Sequence, residues 1–190
     1  GYMVLLRNKP FMIHVCFKGL ALGLLFSYIS SSPFILQTHY GLSQTIYGVV
    51  IGCNALFVMA GSLIALRFKP LKKAAVIGAW VMAGGVVCQA VALYTIHNLW
   101  VFEACMAVIL FGLGLIFTTS NSLAMNEGRH KAGEASAILG ISGYIVGAVA
   151  APMVGLGDVL HSTAITYIVL SIFVLIFAEA TRRLAPDLEQ

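Results

Sequence analysis

Six long apolar runs, separated by short polar connections, leave this chain little choice of fold. They cover about 11–37, 46–66, 74–96, 99–123, 133–156 and 162–181. Each holds close to the ~20 apolar residues that a helix rising about 1.5 Å per residue needs to cross a hydrocarbon layer of ~30 Å. The runs are continuous rather than alternating, and lipid admits only helices or closed barrels. The expected fold is therefore all-α: a polytopic membrane protein whose six transmembrane helices form one half-domain over 1–190. Hydrophobic residues make up 60% of the chain and charged residues 9%, against about 25% charged in a soluble domain. The solvent for most of the surface must be lipid.

The charges orient the spans. Arg7 and Lys9 precede the first run, Arg67, Lys69, Lys72 and Lys73 follow the second, Arg129 and Lys131 follow the fourth, and Arg182 and Arg183 follow the sixth. The three other connections hold neither Lys nor Arg, so ten of the 11 basic residues lie on one side. By the positive-inside rule that side is the cytoplasm, with both termini inside. The net charge of +4 is thereby explained as topology, and a nucleic-acid partner is not expected. Cys16, Cys53, Cys88 and Cys105 all sit within apolar runs without a C-x-x-C pair, and read as small buried hydrophobes rather than metal ligands or disulfides. The first residues are not expected to form a cleavable signal peptide, and a start at Gly1 rather than Met is expected either of a segment cut from something longer or of a residue left by cloning. The connections are short, so helices adjacent in sequence are expected to be neighbours in space. Ser43 reads as the N-cap of the second helix, and Pro70 as the turn that ends it.

The first run departs most from a plain lipid-facing helix. Lys18 places an ammonium group inside it, Gly19 and Gly23 form a G-x-x-x-G face, and Ser30-Ser31-Ser32-Pro33 interrupts its far end. Lys18 lies about 10–12 Å from the start of its run. It either snorkels to the headgroups or faces a wet cavity, where Glu134 is a possible partner. Glu103, one turn into the fourth run, reads as a complement to the helix dipole. Glu179 reads as an interfacial ion pair with Arg182 and Arg183. Asn54, Gln89, Asn121, Tyr28, Tyr144 and the serine cluster need partners in hydrocarbon, from helix–helix hydrogen bonds or from a polar ligand. Asn54 with Phe57, and Asn121 with Phe117, each place an amide and an aromatic ring one turn apart, as a pocket for a drug-like molecule would. Gly48/Gly52 and Gly143/Gly147 repeat the four-residue spacing that lets helix backbones approach closely. No H-E-x-x-H, P-loop or Ser/His/Asp set is visible, so an enzyme is not expected, nor is a metal site.

Six spans with both ends inside and glycine-rich first, second and fifth helices resemble one half of a major facilitator superfamily transporter. Tyr28-Ile29-Ser30-Ser31-Ser32-Pro33-Phe34 resembles the signature that opens the second half of the bicyclomycin-resistance (Bcr/CflA) drug-efflux family. Leu42-Ser43, Tyr47-Gly48, Asn54-Ala55, Ala132-Gly133-Glu134-Ala135-Ser136-Ala137, Gly147-Ala148 and Ala150-Ala151-Pro152 continue the likeness over nearly the whole chain. Gly61-Ser62-Leu63 with Arg67-Phe68-Lys69 is similar to the superfamily's inner-loop motif, although Ala65 stands where that motif carries an acid.

The resemblance implies the C-terminal half of a proton-coupled multidrug exporter in the bacterial inner membrane, working by alternating access. The proton gradient would be the energy source, with no other cofactor. The first, second, fourth and fifth helices would line the path, and the third and sixth would face lipid. Lys18, Tyr28, Asn54, Phe57, Phe117, Asn121 and Tyr144 are the expected contacts for a hydrophobic drug-like substrate. The remaining partners would be the bilayer and either an N-terminal six-helix half or a second copy of this chain. Two alternatives remain open at this level: a self-pairing six-helix half-transporter, and a non-transporting membrane assembly subunit.

Overall fold

A computed structural model of the chain describes residues 1–184. The described residues are helical apart from short connections, with no strand among them. A short helix α1 (Tyr2–Arg7) leads into α2 (Lys9–Ser32), which continues through a π-helical stretch, Pro33–His39. Then come α3 (Gln44–Ala65), α4 (Leu71–Thr95), α5 (Leu99–Glu127), a single 3₁₀ turn (Arg129–Lys131), α6 (Ala132–Met153) and α7 (Val159–Arg182). The six helices from α2 to α7 are long and apolar enough to cross a membrane. The short α1 lies outside the six apolar runs; it tucks Leu5 against Phe11 and Val15 and leaves its other apolar side chains exposed.

Local chemistry sets the helix ends. Asn8 caps α2, its Oδ1 accepting from the Phe11 amide at 3.2 Å, and Ser43 caps α3 in the same way through the Ile46 amide. Pro33 has no N–H to give the Ile29 carbonyl one turn earlier. The Ser32 hydroxyl donates to that carbonyl instead, at 3.3 Å. The helix thereby passes the proline and ends only at His39, where Gly41 turns the chain with a φ of 71°.

The helices do not pack in sequence order. α2 and α5 form a central pair. α6 lies along α2 and α3 lies along α5, while α4 packs on α5 and α7, and α7 packs on α2. Exchanging the triplet α2–α3–α4 with α5–α6–α7 leaves this set of contacts unchanged. Three helices reverse the direction of the chain, so the two triplets are inverted relative to each other across the bilayer. Among consecutive spans only α4 and α5 pack extensively; α3 barely touches α4, and α6 barely touches α5 or α7. The expectation that sequential helices would be neighbours therefore holds only for α4 and α5. A short loop fixes where two helix ends lie, but interdigitation of small residues decides which flanks meet.

Glycines make both flanking contacts. On the α2–α6 side a side chain at Gly19 would meet the Ser142 backbone at 3.1 Å, and a side chain at Gly143 would meet Leu22 at 2.9 Å or closer. On the α3–α5 side a side chain at Gly61 would overlap the Phe111 carbonyl oxygen, and one at Gly114 the Val58 carbonyl oxygen. Gly78 and Gly112 do the same between α4 and α5. Gly48 and Gly52 correct the sequence reading, because both face open space rather than a neighbouring helix. They belong to the outer side of α3, which with α6 is the most exposed of the spans.

Candidate functional site

The expected contact residues divide into two clusters and two outliers. Near the basic end, Lys18 is only 6% exposed although it carries an ammonium group. Its Nζ donates to Asn121 Oδ1 at 2.8 Å and lies 4.9 Å from the centre of the Phe117 ring. The two partners are one turn apart on α5, so one face of that helix offers the cation an acceptor and a π-face. No carboxylate among the described residues pairs with Lys18. Glu134, the partner considered from sequence, lies instead beside Lys131 at 3.8 Å and the amino terminus at 4.0 Å. A lysine can only donate, so Asn121 must turn its carbonyl oxygen toward it.

Toward the other end of the same helices, Asn54 is 3% exposed and gives both of its amide hydrogens away. It donates to the Tyr28 hydroxyl at 2.6 Å and to Glu103 Oε2 at 2.9 Å. This cluster ties α2, α3 and α5 together. It continues through the buried Tyr167 of α7, which shares the Tyr28 core, and through Ser32, whose hydroxyl is 3.0 Å from that of Tyr47. The dipole reading of Glu103 is thus replaced by a specific contact. The carboxyl is half-buried, accepts from an interior amide, and leaves Oε1 buried without a hydrogen-bond partner.

Phe57 and Tyr144 join neither cluster. Asn54 points inward and Phe57, three residues later, is 42% exposed. Tyr144 is 69% exposed and rests its ring on Phe26 at 5.5 Å. Of the other polar groups, Gln89 donates to the Met106 sulfur at 3.4 Å between α4 and α5, a helix–helix contact. Ser31 bonds the Tyr28 carbonyl of its own helix. Glu179 forms the expected ion pairs with Arg182 and Arg183, at 2.6 Å and 2.9 Å. No group of His, Cys, Asp and Glu among the described residues could hold a metal ion.

Sequence reasoning named Glu103 but not its contact, because its partner lies 49 positions earlier on a helix with no sequence link to it. The legible signal was a carboxylate inside an apolar run that also lacks a basic residue at helical spacing.

Fold and site together define a polytopic helical membrane protein built of two inverted triplets, with isolated polar groups held inside its spans. The chain belongs to the Major Facilitator Superfamily, whose family model matches residues 1–152. It is 30% identical over 161 residues to YdgK of Bacillus subtilis (strain 168), described as an uncharacterized MFS-type transporter. That match covers 81% of this chain and 39% of YdgK. It is 28% identical over 144 residues to the multidrug transporter MdfA of Edwardsiella piscicida, covering 74% of this chain and 35% of MdfA. MdfA of Edwardsiella ictaluri (strain 93-146) matches to the same extent. The chain therefore spans well under half the length of the curated relatives it matches.

Proposed function

We propose that the chain is the C-terminal six-helix half of a proton-coupled multidrug exporter of the Bcr/CflA type, in a bacterial inner membrane with both termini cytoplasmic. The observation that carries this reading is the Lys18–Asn121–Phe117 cluster. A buried ammonium with one neutral acceptor and one aromatic face is costly to keep in hydrocarbon and marks a place where another polar group can enter. Asn54 and Tyr28 offer a second polar point toward the opposite end of the spans, with apolar side chains between. That is the composition of a pocket for a mostly apolar drug with a few polar atoms. Phe57 and Tyr144, exposed here, would contact substrate or partner only once a second half closes over α3 and α6. That half is either a preceding six-helix segment or a second copy. Alternating access then follows from rocking one half against the other.

The test is drug resistance conferred by the full-length protein. Asn121→Leu and Asn54→Leu should each shift the resistance profile after resistance is normalised to the amount of protein in the membrane. Unaltered resistance across a broad panel of drugs would refute the assignment.

A further inference from the structure

Glu103 holds a place that the substrate reading does not use. It sits on α5 near the end of the bundle whose connections carry no Lys or Arg. Its carboxyl meets only neutral groups. From α3, Asn54 donates to Oε2. From α2, the Tyr28 hydroxyl receives the other Asn54 hydrogen. From the connection after the π-helical stretch, Tyr40 packs on the adjacent Phe102 with ring centres 5.8 Å apart. α7 brings the buried Tyr167 to the same core, and α4 brings Cys88 and Gln89 toward the neighbouring Cys105 and Met106. α6 barely touches α5, and its titratable groups lie elsewhere, Glu134 beside Lys131 at the basic end and Tyr144 exposed against Phe26. No Lys, Arg or His pairs with Glu103 among the described residues, and Lys18 is engaged by Asn121 near the opposite end of α5.

The two oxygens of Glu103 are not equivalent. Oε2 accepts from Asn54, and Oε1 is buried without a partner. A buried, unpaired carboxylate is unfavourable in a medium without counter-ions. A proton placed on Oε1 cancels the charge, while Oε2 remains a carbonyl acceptor for Asn54. The site accepts and releases a proton without losing its one hydrogen bond, so both protonation states fit the same helix packing. The partial exposure of the side chain leaves a route for that proton.

We propose that Glu103, held by Asn54 between α2, α3 and α5, is a proton-binding carboxyl within this six-helix unit, loaded from the end of the bundle that lacks basic residues. One proton adds to the carboxylate at Oε1 to give the neutral acid, and its departure to water restores the carboxylate. No other reactant is needed. As a coupling site this rests on the transport reading above; as a proton site it does not.

The test separates the two. The full chain, reconstituted in liposomes, is titrated with pH and followed by infrared difference spectroscopy of the carboxyl C=O stretch. A band from a weakly hydrogen-bonded carboxyl, distinct from those of the other acids of the chain, is expected in the wild type and lost in Glu103→Gln. In Asn54→Leu, which keeps the carboxyl but removes its donor, the band should shift in frequency and in titration midpoint. Spectra of Glu103→Gln identical to wild type, or an unshifted band in Asn54→Leu, would overturn the proposal. Drug uptake driven by a pH gradient is then measured with the full-length protein. A titrating Glu103 band with no drug transport leaves the proton site standing and refutes the exporter reading. Gradient-driven transport undiminished in Glu103→Gln leaves the exporter reading standing and refutes the coupling role of Glu103.

Discussion

Lys18 and Glu103 are both ionisable groups inside the spans, and each is held by a single asparagine, yet the two clusters are built in opposite senses. Asn121 turns its oxygen to a cation and Asn54 turns its nitrogen to a carboxyl. The lysine is almost fully enclosed and has a second, aromatic partner, whereas the glutamate is partly buried and keeps one buried oxygen unpartnered. The helix contacts behind them differ as well. Lys18 and Asn121 bridge the central pair α2 and α5, while Asn54 reaches Glu103 only because α3 is drawn close to α5 at Gly61 and Gly114. The contrast teaches that one polar site depends on the centre of the bundle and the other on a flank.

The largest effect should come from breaking that flank. Gly61→Leu places a side chain against the Phe111 carbonyl, where backbone must move. It should destabilise the bundle by about 3 kcal/mol or more, as overpacking of a tight contact does. Gly52→Leu, on the same helix but in open space, should be nearly neutral in the isolated chain. Thermal unfolding in detergent distinguishes them, and equal effects would mean that α3 is not held at Gly61.

Next in size is Asn54→Leu. It strips two hydrogen bonds from buried partners and should cost roughly 2–4 kcal/mol at about 1–2 kcal/mol for each bond. Asn121→Leu removes one charge-assisted bond and should cost roughly 1.5–3 kcal/mol, with Phe117 still facing the ammonium. The same unfolding assay, with both variants in one detergent, tests the order. A reversal would place the structural weight on the lysine cluster instead. The smallest effect on stability is expected for Lys18→Met. It fills the same space and removes the cost of burying an ammonium without a counter-ion, which offsets the lost bond to Asn121. A loss well beyond about 1 kcal/mol in that variant would show that the lysine is retained for folding rather than for function.

Much of this arrangement was written in the sequence at short range. The six spans follow from apolar length, the Ser43 cap from its position before an apolar run, and the closely packed faces of α2 and α6 from Gly19/Gly23 and Gly143/Gly147. Lys18 stood out because an ammonium inside an apolar run is rare. What the sequence could not display were pairings between helices. Asn121 lies 103 residues from Lys18, and no periodicity connects them. Glu134 was the plausible partner by depth along its helix, but α6 places it beside Lys131 and the amino terminus instead. Glu103 looked like a helix-dipole residue because Asn54 comes to it from another helix. Gly48 and Gly52 carried the same spacing as the packed glycines yet meet nothing in this chain, since spacing reports a smooth helix face and not what covers it.

The most direct test of the central claim, that Lys18, Asn121 and Phe117 form a substrate contact, is equilibrium binding of a lipophilic fluorescent drug to the purified full-length protein. Wild type is compared with Lys18→Met, Asn121→Leu and the surface control Lys73→Met. Loss of affinity of about tenfold or more, equivalent to ~1.4 kcal/mol, is expected in the first two variants and not in the control. Unchanged affinity in both cluster variants, with the proteins folded, would contradict it.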